Sequence, residues 1–119
     1  MSKLPIALTI AGTDPSGGAG VMADLKSFQA RGVYGMAAIT SVVAQNTLGV
    51  QKICNLDLEI FEAQLKSVFD DISPHALKTG MIPTLEHMEV IEKYLSKEIP
   101  YVLDPVMIAT SGDRLIDEK

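Results

Sequence analysis

Ile6-Ala-Leu-Thr-Ile-Ala-Gly-Thr-Asp-Pro-Ser-Gly-Gly-Ala-Gly20 opens as an uncharged apolar run and then breaks into a glycine-rich turn. Ile6 to Ala11 predicts a buried strand. Gly12 to Gly20 predicts a tight turn, because glycine reaches backbone conformations that side chains forbid. Ala19 to Arg31 follows as a helix, with Val21, Leu25 and Phe28 at helical spacing and Gly32 as its C-cap. A strand, a glycine turn and a helix in that order open an alternating α/β chain.

The same alternation continues to the right. Met36 to Ala44 reads as a second buried strand, small and β-branched and without charge. Gln45 to Val50 reads as a loop and Gln51 to Leu56 as a further strand. Asp57 is placed to cap a helix whose apolar face is Leu58, Phe61, Leu65, Val68, Phe69 and Ile72. Ala76 to Met81 predicts a strand, Pro83 and Thr84 open a helix carrying Met88, Ile91 and Leu95, and Tyr101 to Val106 predicts another strand. Ser111-Gly112 begins a turn. Strands alternating with helices call for a parallel sheet with helices packed on it. Strands apolar on both faces fit that class. A new element starts at Asp113, so the chain is expected to be the front of a larger domain.

Composition narrows the function classes. With 119 residues the chain suits one domain, and 47% hydrophobic residues suffice for a core, which excludes a disordered chain. The formal net charge of −5 and 5% aromatic content, with no Trp, argue against a nucleic-acid module. One cysteine, Cys54, excludes an internal disulfide framework and a multi-cysteine zinc site, and it is expected to be a small buried hydrophobe. Pro5, Gly12 and Asp14 interrupt the apolar start before a signal core or membrane span can form. A soluble, cytoplasmic protein with no membrane partner is the expectation.

In open parallel sheets, ligands bind beyond the carboxyl ends of the strands. That rule selects Gly12, Thr13 and Asp14 after the first strand, and Gln45 and Asn46 after the second. It selects Gly80 and Met81 after the Ala76 strand, and Asp104, Pro105, Val106 and Met107 after the Tyr101 strand.

Each candidate has a plainer reading beside the functional one. The glycine segment is no Walker A loop, since no Gly-Lys-Ser/Thr follows. Gly18-Ala-Gly-Val-Met-Ala23 loosely fits a dinucleotide fingerprint, yet Gln45 and Asn46 stand where the acidic ribose ligand belongs. A packing turn and a small-molecule loop remain open for it. Asp24 is either an acid favoured at a helix start or an acceptor for a substrate hydroxyl. Gln45 is either a loop cap or a donor–acceptor pair matched to the edge of an aminopyrimidine. Met81 is core or a flat pocket wall, and Asp104 is a turn residue or a carboxylate beside magnesium or phosphate. Lys78, inside an apolar strand, reads as a snorkelling surface lysine. His75 and His87 lack ligand-spaced partners, so they suggest no metal site. Asp70-Asp71 reads as a solvated helix end, and no Ser-His-Asp or Cys-His nucleophile arrangement is visible.

Taken together, Ala7-Leu-Thr-Ile-Ala-Gly-Thr-Asp-Pro-Ser-Gly-Gly-Ala-Gly20 and Ala23-Asp-Leu-Lys-Ser-Phe28 closely resemble the start of bacterial hydroxymethylpyrimidine/phosphomethylpyrimidine kinases of thiamine biosynthesis. Tyr34-Gly-Met, Ala44-Gln-Asn-Thr47, Lys78-Thr-Gly-Met81 and Asp104-Pro-Val-Met107 extend the resemblance over essentially the whole chain. The resemblance implies a three-layer α/β fold of the ribokinase-like superfamily. It implies an ATP- and Mg2+-dependent kinase that phosphorylates the pyrimidine's hydroxymethyl group and then the monophosphate. Carried onto this chain, Gly12, Asp24 and Gln45 hold the pyrimidine, Asp24 orients its hydroxyl, Met81 and Val106 form apolar walls, and Asp104 lies near phosphate and magnesium.

The resemblance also implies a longer protein. Family members are expected to be roughly twice this length, within ordinary domain sizes. Their later half is expected to carry a Gly-Thr-Gly segment, an anion hole at a helix N-terminus, most of the nucleotide pocket and the residue nearest the attacking hydroxyl. The 119 residues are therefore expected to be the amino-terminal, substrate-binding portion of one domain, with no catalytic residue of their own and little or no activity alone. A homodimer is the expected assembly of the full-length form. The alternatives are a pyridoxal or pyridoxine kinase, a non-catalytic pyrimidine-binding fragment, and a nicotinamide-dependent oxidoreductase.

Overall fold

The computed structural model describes residues 4–104. Its elements are β1 (Ile6–Ala11), α1 (Gly20–Ala30), β2 (Tyr34–Ile39), β3 (Ser41–Asn46), β4 (Gly49–Asn55), α2 (Leu58–Asp71), β5 (Ala76–Thr79), α3 (Leu85–Glu92) and β6 (Tyr101–Leu103). β2, β1, β5 and β6 form a parallel sheet in that order, with Thr9 opposite Ala37 on one side and Lys78 on the other.

The period-2 alternation of β1 divides its side chains between two helical layers. Leu8 and Ile10 join Ala38 and Leu77 beneath Phe61, Leu65, Val90 and Ile91, so α2 and α3 cover that face. The opposite face receives α1, where Gly35 leaves room for Phe28 and Leu25: a Cβ on Gly35 would meet them at 2.8 and 3.1 Å. The result is the parallel sheet with packed helices that the alternating pattern called for, in the three-layer α/β arrangement that the resemblance implied.

Local signals place the helix ends. Asp57 caps α2 by accepting a hydrogen bond from the Ile60 N–H at 2.9 Å. Thr84 caps α3 by accepting from the His87 N–H at 3.1 Å. Gly32 adopts φ +72°, as the turn after α1 requires. Buried His87 faces Thr84 Oγ1 at 2.6 Å through Nδ1 and the Leu56 carbonyl at 2.8 Å through Nε2, so both ring nitrogens serve packing. Nδ1 of His75 accepts from the Ile6 N–H at 3.1 Å.

Four sequence expectations require correction. The single strand expected over Met36 to Ala44 is two strands, divided at Thr40. Buried Thr40 makes the last bond along β1, from its N–H to the Ala11 carbonyl, and its hydroxyl donates to the Met81 carbonyl at 2.8 Å where the chain leaves the parallel sheet. β3 then turns back on β4 as an antiparallel hairpin, and the loop expected over Gln45 to Val50 shrinks to the turn between them. β3 is not buried on both faces: Val43 is buried, whereas Val42 is half exposed. Cys54, on β4 of the same hairpin, is exposed rather than buried.

The strand expected from Tyr101 to Val106 is described as far as Leu103. Pro105, Val106, Met107 and the turn at Ser111-Gly112 lie outside the described residues. Among the described residues, no helix is long and apolar enough to cross a membrane.

Candidate functional site

Strand order creates the site. β1 leads through α1 to β2 on one side, whereas β5 pairs with β1 on the other. The chain thus reverses its direction of travel between β1 and β5, and such a switch point opens a crevice beyond the carboxyl ends of the strands. Gly12 and Thr13 leave β1 there, and Gly80 and Met81 leave β5.

The glycine loop is held by its own polar groups. Buried Asp14 accepts from the Ser16 N–H at 2.9 Å and hydroxyl at 2.7 Å through Oδ1, and from the Gly18 N–H at 3.0 Å through Oδ2. Burial by itself would raise the Asp14 carboxyl. The bonds from the Ser16 hydroxyl and the backbone of Ser16, Gly18 and Ala19 together outweigh it and hold the group below the usual carboxylate range. Lys26 donates to the Gly17 carbonyl at 3.2 Å, tying α1 back to the loop.

The hairpin is clamped over this loop by Thr13. Its N–H donates to Ser41 at 3.1 Å, and its hydroxyl oxygen accepts from the Val43 N–H at 2.8 Å. Gln45 Nε2 donates to the Thr13 carbonyl at 3.0 Å. Gln45 therefore arrives from an antiparallel hairpin rather than from the end of a parallel strand, which corrects the placement read from sequence. Met81 is buried against Val43, and a Cβ on Gly12 would touch both at 3.4 Å. Gly12, Gln45 and Met81 thus come together around Thr13.

Asp24 and Asp104 belong to a second cluster. Asp24 Oδ2 accepts from the Thr9 hydroxyl at 2.6 Å and pairs with Lys78 Nζ at 2.7 Å. Lys78 Nζ lies 4.0 Å from Asp104 Oδ2, whose side chain is 60% exposed. Lys78 is no snorkelling surface lysine: its side chain is only 21% exposed and sits between two carboxylates. The signal was present in the sequence, since a charge within an apolar strand needs a partner. Asp24 is equally more than a helix-start acid, because it ties α1 to two strands. Val106 lies outside the described residues.

The sequence pattern of the phosphomethylpyrimidine kinase family matches residues 14–119. The chain belongs to that family. It is 65% identical over 119 residues to the hydroxymethylpyrimidine/phosphomethylpyrimidine kinase of Staphylococcus aureus (strain Mu50), covering 98% of this chain and 43% of that protein. The crystal structure of the phosphomethylpyrimidine kinase from Clostridium difficile 630 superposes with a TM-score of 0.83 at 48% identity, covering 95% of this chain and 50% of that one. The pyridoxal kinase of Staphylococcus aureus in complex with AMP-PCP and pyridoxal superposes with a TM-score of 0.76 at 40% identity, covering 92% and 41%. The chain therefore spans under half the length of the Staphylococcus aureus phosphomethylpyrimidine kinase and half of the Clostridium difficile chain. Pyridoxal kinases share the fold of this family and stand further off in sequence.

Proposed function

We propose that this chain supplies the pyrimidine-binding part of an enzyme that phosphorylates 4-amino-5-hydroxymethyl-2-methylpyrimidine and then its monophosphate, with ATP as donor. The carrying observation is 65% identity to a hydroxymethylpyrimidine/phosphomethylpyrimidine kinase over 98% of the chain. Residues 1–119 are then the amino-terminal portion of one ribokinase-like domain, in keeping with the 43% of that relative they span. The complete protein works in the cytoplasm as a homodimer on a small-molecule substrate.

The described geometry supports roles for the individual residues. Asp24 receives both sheet donors on Oδ2, and among the described residues Oδ1 has no hydrogen-bond partner and can accept from the substrate's hydroxyl. Gln45 commits one amide proton to Thr13 and keeps a second proton beside Oε1. Oε1 accepts from the pyrimidine's exocyclic amine, and the remaining N–H donates to the adjacent ring nitrogen. Gly12 lets the ring approach the backbone, and Met81 and Val106 supply apolar walls. Pyridoxal lacks this paired edge.

Asp104 is an exposed carboxylate at the end of β6, 4.0 Å from Lys78 Nζ. Among the described residues, no group of three or more His, Cys, Asp or Glu could hold a metal by itself. A single carboxylate suits Mg2+, which keeps waters and phosphate oxygens as its other ligands. Bound there with ATP, Mg2+ would neutralise charge on the phosphates. No residue of this chain is assigned as the catalytic base, so the chain alone is expected to turn over at less than about a tenth of a full-length relative's rate.

Calorimetry with the aminopyrimidine, and with pyridoxal as control, tests this function. Selective binding of the pyrimidine is expected. Preference for pyridoxal would move the chain to a pyridoxal kinase activity, and no binding by the folded chain would overturn the proposal.

A further inference from the structure

Lys78 occupies a position that ordinarily rejects a charge. It lies within β5 between buried Leu77 and buried Thr79, and it faces the helical layer formed by α1. Its neighbour in register on β1 is Thr9, which is wholly buried. The ammonium of one and the hydroxyl of the other converge on a single atom, Asp24 Oδ2, at 2.7 and 2.6 Å. Gly80 packs closely beside the ammonium: a Cβ there would lie 3.2 Å from Nζ and 3.0 Å from the Ala11 Cβ.

Two donors on one carboxylate oxygen restrict the whole group. Asp24 cannot rotate about its χ angles without breaking a charge-assisted bond and a buried hydroxyl bond together. Its other oxygen keeps one direction, so little side-chain freedom remains to be lost when a ligand binds there. Lys78 also stands 4.0 Å from Asp104, so a single ammonium serves carboxylates from α1 and from the end of β6.

We propose that Lys78 is a positioning residue that fixes Asp24 as a directed hydrogen-bond acceptor and thereby sets selectivity for a hydroxymethyl over a methyl substituent on the bound ring. The selectivity rests on the pyrimidine reading above; the hold on Asp24 does not. A lysine that merely stabilised the fold would weaken both ligands alike when removed. A positioning lysine affects the hydroxyl-bearing ligand alone.

The test compares 4-amino-5-hydroxymethyl-2-methylpyrimidine with 4-amino-2,5-dimethylpyrimidine by calorimetry, on the full chain and its Lys78→Met and Lys78→Arg variants. The Asp24 carboxyl carbon is followed by NMR without ligand, assigned through Asp24→Asn. The parent chain is expected to prefer the hydroxymethyl compound by about tenfold or more. Lys78→Met should abolish that preference while binding the dimethyl compound within about twofold of the parent, and should shift the Asp24 signal. Lys78→Arg should restore part of the preference. An unchanged preference, or equal weakening of both ligands, overturns the proposal. If the parent binds neither pyrimidine, the pyrimidine reading falls and the NMR signal decides the positioning role: an unmoved Asp24 carbon overturns it and a shifted one upholds it. Should Lys78→Met fail to fold, Thr9→Val removes the other donor to the same oxygen and is expected to lower the preference likewise; an unchanged preference there counts against the proposal.

Discussion

Gly20 and Gly12 meet so closely that a Cβ on Gly20 would overlap the Gly12 carbonyl oxygen. That oxygen accepts the Val21 N–H at 3.0 Å, so the first turn of α1 is sewn to the residue leaving β1. Gly20 also has φ +61°, in the left-handed region that disfavours other residues. Gly20→Ala combines backbone strain with a clash against backbone, and is expected to destabilise the chain by about 2–4 kcal/mol. Urea unfolding checks this through a lower midpoint at unchanged slope.

Thr13 is the clamp between the glycine loop and the hairpin. Its hydroxyl oxygen accepts the Val43 N–H at 2.8 Å in a buried setting. Thr13→Val keeps the shape and leaves that donor unpaired, at a cost of about 1–3 kcal/mol. Thr13→Ser keeps the acceptor and is expected to lose less. Amide exchange at Val43 should speed up in the valine variant and stay slow in the serine variant.

The loop should loosen in acid through Asp14. Its folded-state pKa lies below the ordinary value of 3.8. Ionised Asp14 therefore contributes stability that is present above the unfolded pKa and lost as pH falls through the lower folded one. Urea unfolding between about pH 5 and pH 2 should show a steeper loss for the parent chain than for Asp14→Asn. Parallel curves would remove Asp14 from the acid response.

Gln45 joins a structural bond to a proposed ligand edge. Gln45→Leu should weaken pyrimidine binding by about 1–3 kcal/mol, because the ring's polar edge is left unpaired. Calorimetry measures it, and undiminished affinity would end the ligand role. The lost bond to Thr13 should also appear as faster amide exchange near Asn46.

Local chemistry was legible where a residue acts on its sequence neighbours. The β1 strand, the glycine turn, the Asp57 and Thr84 caps and Gly32 each depend on residues only a few positions away. The motifs from Ala7 to Asp104 carried the family for the same reason, as a pattern of residue types in order. Thr40 was not legible. Nothing in Ala-Ile-Thr-Ser-Val marks a break, and at the break Thr40 is held by Ala11 and Met81, which are 29 and 41 positions away. Cys54 followed from the same omission: once β3 turns back, β4 becomes half of a two-stranded hairpin instead of a strand within the sheet, and the thiol is exposed.

Order and type of residue were enough to settle the α/β class, the helix boundaries near the caps and the family, because hydrophobic period, capping and turn chemistry are short-range effects. Which strands neighbour one another was set by tertiary pairing. It placed β5 against β1, opened the switch point between them, and brought Lys78 and Thr9 onto one oxygen of Asp24. A charge within an apolar strand states that a partner must exist. Only the register of β1 with β5 and the packing of α1 choose that partner, since electrostatic pairing depends on distance in space and not along the chain.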